Sequence, residues 1–224
     1  MGCYFYKCLV NPNGIQFDRF KDIPLKTDDG WVDIGAVVRL APIKDVKTMI
    51  YAFFELHERL PKVRLHIMGD VDDEEYGAEC HALVEILGVR DLIFTGRVNV
   101  VEYMEKLDFT ILTSISEGQP LSVLESLAAR RPCVTTEVGC CRELLEGAPG
   151  DDFGVAGFVT PPMYRKGLAD AMERMCTSRA RRIEMGERGQ RRVATYFLHE
   201  QMLANYRALY DETAQAFDLP REGE

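Results

Sequence analysis

Between residues 31 and 160 the hydrophobic period keeps switching between that of a strand and that of a helix. "WVDIGAVVRL" (31–40) is an apolar run that reads as a buried strand ending at Leu40. "DVKTMIYAFFELHERL" (45–60) follows with a 3.6-residue period and Asp45 as its N-cap. The pattern then repeats: strand 62–69, helix 74–88, strand 91–96, a short helix at 99–107, strand 108–114, helix 120–130 and strand 132–137. "GCCRELLE" supplies one or two helical turns, and "GVAGFVT" (154–160) a last short strand. Strands that alternate with helices at this spacing need right-handed crossovers, which gives a parallel sheet covered on both faces. The expected fold class is therefore α/β, doubly wound, and such sheets bind ligands at the carboxyl ends of their strands.

From Tyr164 onward the pattern is all helical, over 164–177, 178–196 and 199–217. Gly167, Gly186 and Gly189 are expected to weaken these helices locally. "SRARRIEMGERGQRR" (178–192) reads as a solvated face, because Glu184 and Glu187 interleave with its arginines. The chain thus divides into a leading segment (1–30), an α/β domain (31–177), C-terminal helices of the same domain (178–218) and a polar tail (219–224).

Several function classes are disfavoured. A net charge of −9 argues against general nucleic-acid or anionic-membrane affinity, so an anionic ligand would need a local cationic site. No apolar run is long enough to span a bilayer. "MGCYFYKCLVNPNGI" lacks the features of a signal peptide, and the seven cysteines contain no CxxC. A cytoplasmic chain with reduced thiols is expected. The four histidines are dispersed, so no metal site is expected. "DVDD" (70–73) contains a DxD, but it precedes an acidic helix start, where carboxylates suit the helix dipole. The loop after the first strand, "RLAPIKD", has no GxGxxG, and no P-loop sequence occurs. The Phe53–Phe54 pair, "YMEKLDFTIL" and Cys140–Cys141 read as packing.

The chemistry concentrates in "SEGQPLSVLESLAARRP" (116–132). Glu117 falls at the carboxyl edge of the sheet. Pro120 suits a first helical turn, and the backbone N–H groups from Leu121 to Val123 make an anion site. Gly118 lets a ligand approach the backbone, and Glu125 lies in the second turn. A carboxylate accepts two hydrogen bonds and so suits a vicinal diol. Arg39 and Lys44 flank the loop after the first strand, which should neighbour this one at the topological switch point. Taken singly, each glutamate also fits a surface position, and each cation a surface ion pair.

The order "NPNGIQFDRF", "RLAPIKDVKTMI", "IMGD", "FTGRV", "SISEGQPLSVLESLAARRP", "TTEVGCCRELLEG", "MGERGQRRVATYF" resembles the C-terminal, donor-binding half of retaining family-4 glycosyltransferases of the two-domain GT-B fold. The likeness runs from about Asn11 to Tyr210, and Glu117 and Glu125 form the E-x7-E element. "TSISEGQPL", "CRELLEG" and the acidic "DVDDEEYGAEC" are most like the glycosyltransferases of bacterial Pel exopolysaccharide systems.

The resemblance implies a Rossmann-like sheet and a nucleotide-sugar donor, with UDP as the nucleotide, no cofactor and no metal. Glu117, with the Gly118 and Gln119 N–H groups, would contact the sugar. Arg39 and Lys44 would hold the diphosphate, helped by the Leu121 and Ser122 N–H groups. Glu125 would bind the ribose, and Arg97 and Val98 would frame the base. It further implies a saccharide acceptor held by an N-terminal domain absent from this chain, and association with a membrane polysaccharide-synthesis complex. Residues 1–30 would then follow an interdomain linker. A non-catalytic nucleotide-sugar-binding module and an epimerase-like enzyme are the alternatives. Two departures stand out: Arg130 occupies a helix-ending position where the family carries Gly, and Gln16 replaces an Asp.

Overall fold

The computed structural model describes residues 9–216. The 219–224 tail and the end of the expected last helix lie outside them. Strands β1 (Val32–Val37), β2 (Val63–Met68), β3 (Leu92–Gly96), β4 (Phe109–Leu112), β5 (Cys133–Thr136) and β6 (Gly157–Thr160) form one parallel sheet in the order β3-β2-β1-β4-β5-β6. Strand order reverses between β1 and β4, the switch point that the sequence required. Helices α1 (Val46–Arg59), α2 (Glu74–Leu87), α3 (Val100–Met104), α4 (Leu121–Ala128), α5 (Cys141–Glu146), α6 (Arg165–Cys176), α7 (Arg179–Tyr196) and α8 (His199–Ala216) complete the chain. None is long and apolar enough to cross a membrane.

The first strand is shorter than expected. Regular pairing stops at Val37, and Leu40 makes only an isolated bridge with Val71. This early exit frees Arg39 from the sheet. Helix α1 starts at the expected cap, where Asp45 accepts from Thr48 N at 3.4 Å; α2 is capped by Asp73, which the sequence reading did not name, accepting from Tyr76 N at 2.9 Å.

The core has two halves, one on each face of the sheet. Met49, Ile50, Phe53 and Leu56 of α1 join Ile34, Leu65, Ile67 and Met172 on one face. Leu124 and Leu127 of α4 join Met104, Leu144 and Val193 on the other. Apolar burial on both faces accounts for the largely apolar strands, whose buried polar residues such as Asp33, His66 and Thr110 are hydrogen-bonded.

The glycines in α7 do more than loosen a helix. A Cβ at Gly186 would lie 2.2 Å from the Arg130 carbonyl oxygen, and one at Gly189 would lie 2.5 Å from Leu127 Cδ2. They let α7 close onto α4. A Cβ at Gly167 would instead meet the Tyr164 ring at 2.3 Å.

The solvated reading of 178–192 also fails in part. Arg182 and Arg192 are buried, paired with Asp108 and Asp151 respectively. Period and charge cannot show this, because both carboxylates come from distant loops. Arg188 and Glu184 do pair on the surface as expected.

Candidate functional site at the carboxyl edge

The loops after β1 and β4 meet at the switch point and are tied together. Ile115 N donates to the Ile43 carbonyl at 2.9 Å, and Thr113 Oγ1 to the Lys44 carbonyl at 2.8 Å. Lys44 closes a 3-10 turn, Pro42–Lys44, so its side chain leaves a fixed backbone. Its Nζ donates to Glu117 Oε1 at 2.6 Å. The Ser114 hydroxyl donates to the same oxygen at 2.7 Å. Ser114 is fully buried, and its carbonyl accepts from Thr136 Oγ1 at 2.6 Å. One oxygen of Glu117 is thus held from two sides. The other has no protein partner among the described residues and can accept from a ligand.

Arg39 stands 63% exposed, with Nη1 bonded to Asp72 Oδ2 at 2.8 Å. An exposed pair of this kind is worth little and is readily exchanged. Arg39 and Lys44 line one cleft of about 450 Å³, together with Gly69, Asp70, Arg97 and Val98. Val98 is half-buried against the core, whereas Arg97 is exposed. Within "DVDD", Asp70 lines this cleft, Asp72 holds Arg39, and Asp73 caps α2.

Pro120 sits at the N-cap of α4, one position earlier than expected. Val123 N donates to the Pro120 carbonyl at 3.2 Å, so it is not free for a ligand. Leu121 and Ser122 have N–H groups without a partner among the described residues, at a helix start where the dipole favours an anion. Gly118 faces open space: no atom lies within 4 Å of where its Cβ would be. Its carbonyl accepts from Cys140 N at 3.0 Å, and a Cβ at Gly139 (φ 51°) would lie 2.0 Å from that oxygen. Cys141 is buried, and burial pushes its thiol up to about 12, in keeping with packing.

Of the expected site residues, Arg39, Lys44, Arg97 and Val98 line this cleft, Glu117 is joined to it through Lys44, and Gly118, Gln119, Leu121, Ser122 and Glu125 lie outside its lining. The Gln119 side chain is turned toward the N-terminal segment, where Oε1 accepts from Asn13 N at 2.7 Å. Glu125 does not line the cleft. Burial raises its carboxyl above the usual range, and Arg19 offsets this in part. Its carboxylate has no hydrogen-bond partner among the described residues. Arg130 takes the left-handed conformation (φ 57°) expected of a Gly there. Gln16 precedes the turn Phe17–Arg19 without capping it.

Reading the sequence did not single out Thr113, Ser114 or Thr136, and weighed Asp72 only within the DxD of "DVDD". Ser114 lies three residues before Glu117, a spacing at which a hydroxyl can reach a loop carboxylate.

The family described as "Glycosyl transferases group 1" matches residues 32–178. The chain belongs to this family. Its sheet is the C-terminal half of the GT-B architecture. It is 25% identical over 173 residues to the N-acetyl-alpha-D-glucosaminyl L-malate synthase of Bacillus anthracis, covering 75% of this chain and 42% of that protein. The structure of Anabaena Alr3699/HepE in complex with UDP and glucose superposes with a TM-score of 0.73 at 21% identity, over 89% of this chain and 55% of that one. The C-terminal domain of a glycosyl transferase group 1 family protein, LpcC from Francisella tularensis, superposes with a TM-score of 0.69 at 19% identity, over 83% and 99%. The group 1 chain thus spans 42% of the malate synthase relative and 55% of HepE.

Proposed function

We propose that the carboxyl-edge cleft binds a nucleotide-sugar, with UDP as the nucleotide, as the donor domain of a retaining hexosyltransferase. The observation that carries this reading is the joined arrangement of Lys44, Glu117 and Ser114 beside the α4 start, with Arg39 on the same cleft. The cations and the two free N–H groups suit a diphosphate. The open oxygen of Glu117 and the open face of Gly118 suit sugar hydroxyls. Glu125, half-buried and without a partner, suits a ribose diol beyond the helix start. Arg97 and Val98 frame the base. The UDP complex of a fold neighbour supports the choice of nucleotide.

The chemistry follows from this placement. As the glycosidic bond to the phosphate breaks, charge accumulates on the leaving diphosphate. Arg39, Lys44 and the helix start stabilise it, without a metal. The acceptor attacks from the face on which the phosphate leaves, and a phosphate oxygen takes its proton, so configuration is retained. The acceptor, a saccharide, is held by a region of the relatives that this chain does not span. We place the protein in the cytoplasm, in exopolysaccharide synthesis of the Pel type and beside a membrane complex. That part rests on the likeness of "TSISEGQPL" and "CRELLEG" alone.

Calorimetric titration with UDP and UDP-glucose in EDTA tests the reading. Weak, saturable binding is expected, without sugar transfer to an acceptor. The absence of heat with any nucleoside diphosphate would refute it.

A further inference from the structure

At the opposite, amino edge of the sheet, Lys26, Arg130, Arg131, Arg179 and Arg182 surround a pit of about 20 Å³ with Asp108 as the lining carboxylate. We propose that this pit is a second anion site, which takes one halide-sized inorganic anion and is independent of the donor cleft.

The charge balance points there. Lys26 is matched by Asp33 at 2.7 Å and Asp29 at 2.8 Å, and Arg182 by Asp108 at 3.1 Å. Arg130, Arg131 and Arg179 have no carboxylate within 4.0 Å among the described residues. Their N–H groups go to carbonyls instead. Arg131 donates to Met104 O at 3.0 Å, Ala129 O at 2.7 Å and Pro24 O at 2.6 Å. Arg130 donates to Ile23 O at 2.8 Å, and Arg179 to Lys26 O at 2.9 Å. The end of α4 contributes at most roughly half a negative charge, which offsets only part of one of these three cations. Arg131 is only 1% exposed, so solvent does not balance its charge, whereas Arg130 and Arg179 are half-buried.

Two further observations agree. The Nε atoms of Arg130 and Arg182 are buried and have no acceptor among the described residues. Arg130 also keeps a left-handed backbone that glycine would adopt without strain, and its side chain lines the pit. The pit has room for one water- or halide-sized occupant. A water would accept hydrogen bonds there but leave the charge excess standing; an anion answers both.

Crystals of the chain soaked in sodium bromide should show an anomalous peak in the pit, beside the Arg131 and Arg182 guanidinium groups. In solution, replacing sodium gluconate by sodium chloride at equal ionic strength should raise Tm by about 3 °C. Arg130→Gly suits the backbone at that position, so it should fold and lose most of this rise. No bromide peak in the pit, or equal Tm in the two salts, or an undiminished rise in Arg130→Gly, would overturn the proposal. The site would then be one of hydration alone.

Discussion

The two edges of the sheet use cations in opposite ways. At the amino edge Asp33 is 2% exposed, and Lys26, Arg64 and His66 all bond to its carboxylate. Arg182 is fixed by Asp108 and by the Met175 and Cys176 carbonyls at the end of α6. At the carboxyl edge Arg39 has a single exposed partner, and Lys44 a single carboxylate. The parallel sheet imposes this asymmetry. Every crossover helix that packs on it brings its N–H end to one edge and its carbonyl end to the other. Guanidinium donors therefore find carbonyl and carboxylate acceptors at the amino edge and serve folding there, with the charge left over at Arg130, Arg131 and Arg179 being what the proposed halide-sized anion would meet. At the carboxyl edge cations and helix N–H groups face the same way, and only an anionic ligand satisfies both.

The largest effect should follow from breaking the amino edge. Asp33→Ala takes from Lys26 and Arg64 their buried partner, leaving them Asp29, and from His66 its only carboxylate among the described residues, and losing one partner of a buried pair costs about 3–5 kcal/mol. Chemical denaturation at pH 7 measures it, and nucleotide affinity of the folded fraction should not change. The pH dependence follows. Burial would raise the Asp33 carboxyl, but His66, Arg64 and Lys26 outweigh it and hold it well below its ordinary 3.8. A depressed carboxyl stabilises the fold above the unfolded value and loses that contribution as pH falls through the folded one. The gap between wild type and Asp33→Asn should therefore narrow below about pH 3.8.

At the other edge the order of effects reverses. Arg39→Ala should weaken UDP by about 1.5–3 kcal/mol, the range for charge-assisted hydrogen bonds. Its unfolding free energy should shift by no more than about 0.5 kcal/mol, as for an exposed pair. A large stability loss with unchanged affinity would erase the distinction between the edges.

The glutamates sharpen it further. Glu117→Ala should weaken UDP-glucose by roughly 1–3 kcal/mol and leave UDP almost untouched, whereas Glu125→Ala should weaken both. Equal losses for both ligands in Glu117→Ala would contradict its assignment to the sugar.

The smallest effect concerns Glu125 without ligand. Burial disfavours its charged form, so Glu125→Gln should leave Tm unchanged or slightly higher at pH 7 while weakening UDP. A clear fall in Tm would make Glu125 a structural residue.

Element type was legible because it rests on local period and caps. Asp45 caps its helix as expected, and the next helix starts at Glu74, the position read for it. The meeting of the loops that carry Lys44 and Glu117 was expected too, from a doubly wound strand order that sets β1 beside β4, and the observed order agrees. What escaped was long-range pairing. Arg39 meets a carboxylate 33 residues away, and Arg182 one 74 residues away, and neither hydrophobic period nor charge pattern encodes such a partner. The close α4–α7 contact escaped for a related reason: a glycine in a helix signals weakness locally and serves packing only against a neighbour.

The central claim is that the carboxyl edge, and not the cation-rich amino edge, receives the nucleotide. Backbone amide spectra of the isotope-labelled chain, titrated with UDP in EDTA, test it most directly. The expected perturbations fall at Val98, Gly118, Leu121 and Ser122, with Arg130, Arg131, Arg179 and Arg182 unmoved. Perturbations confined to those four arginines, or none at saturating UDP, would contradict the account.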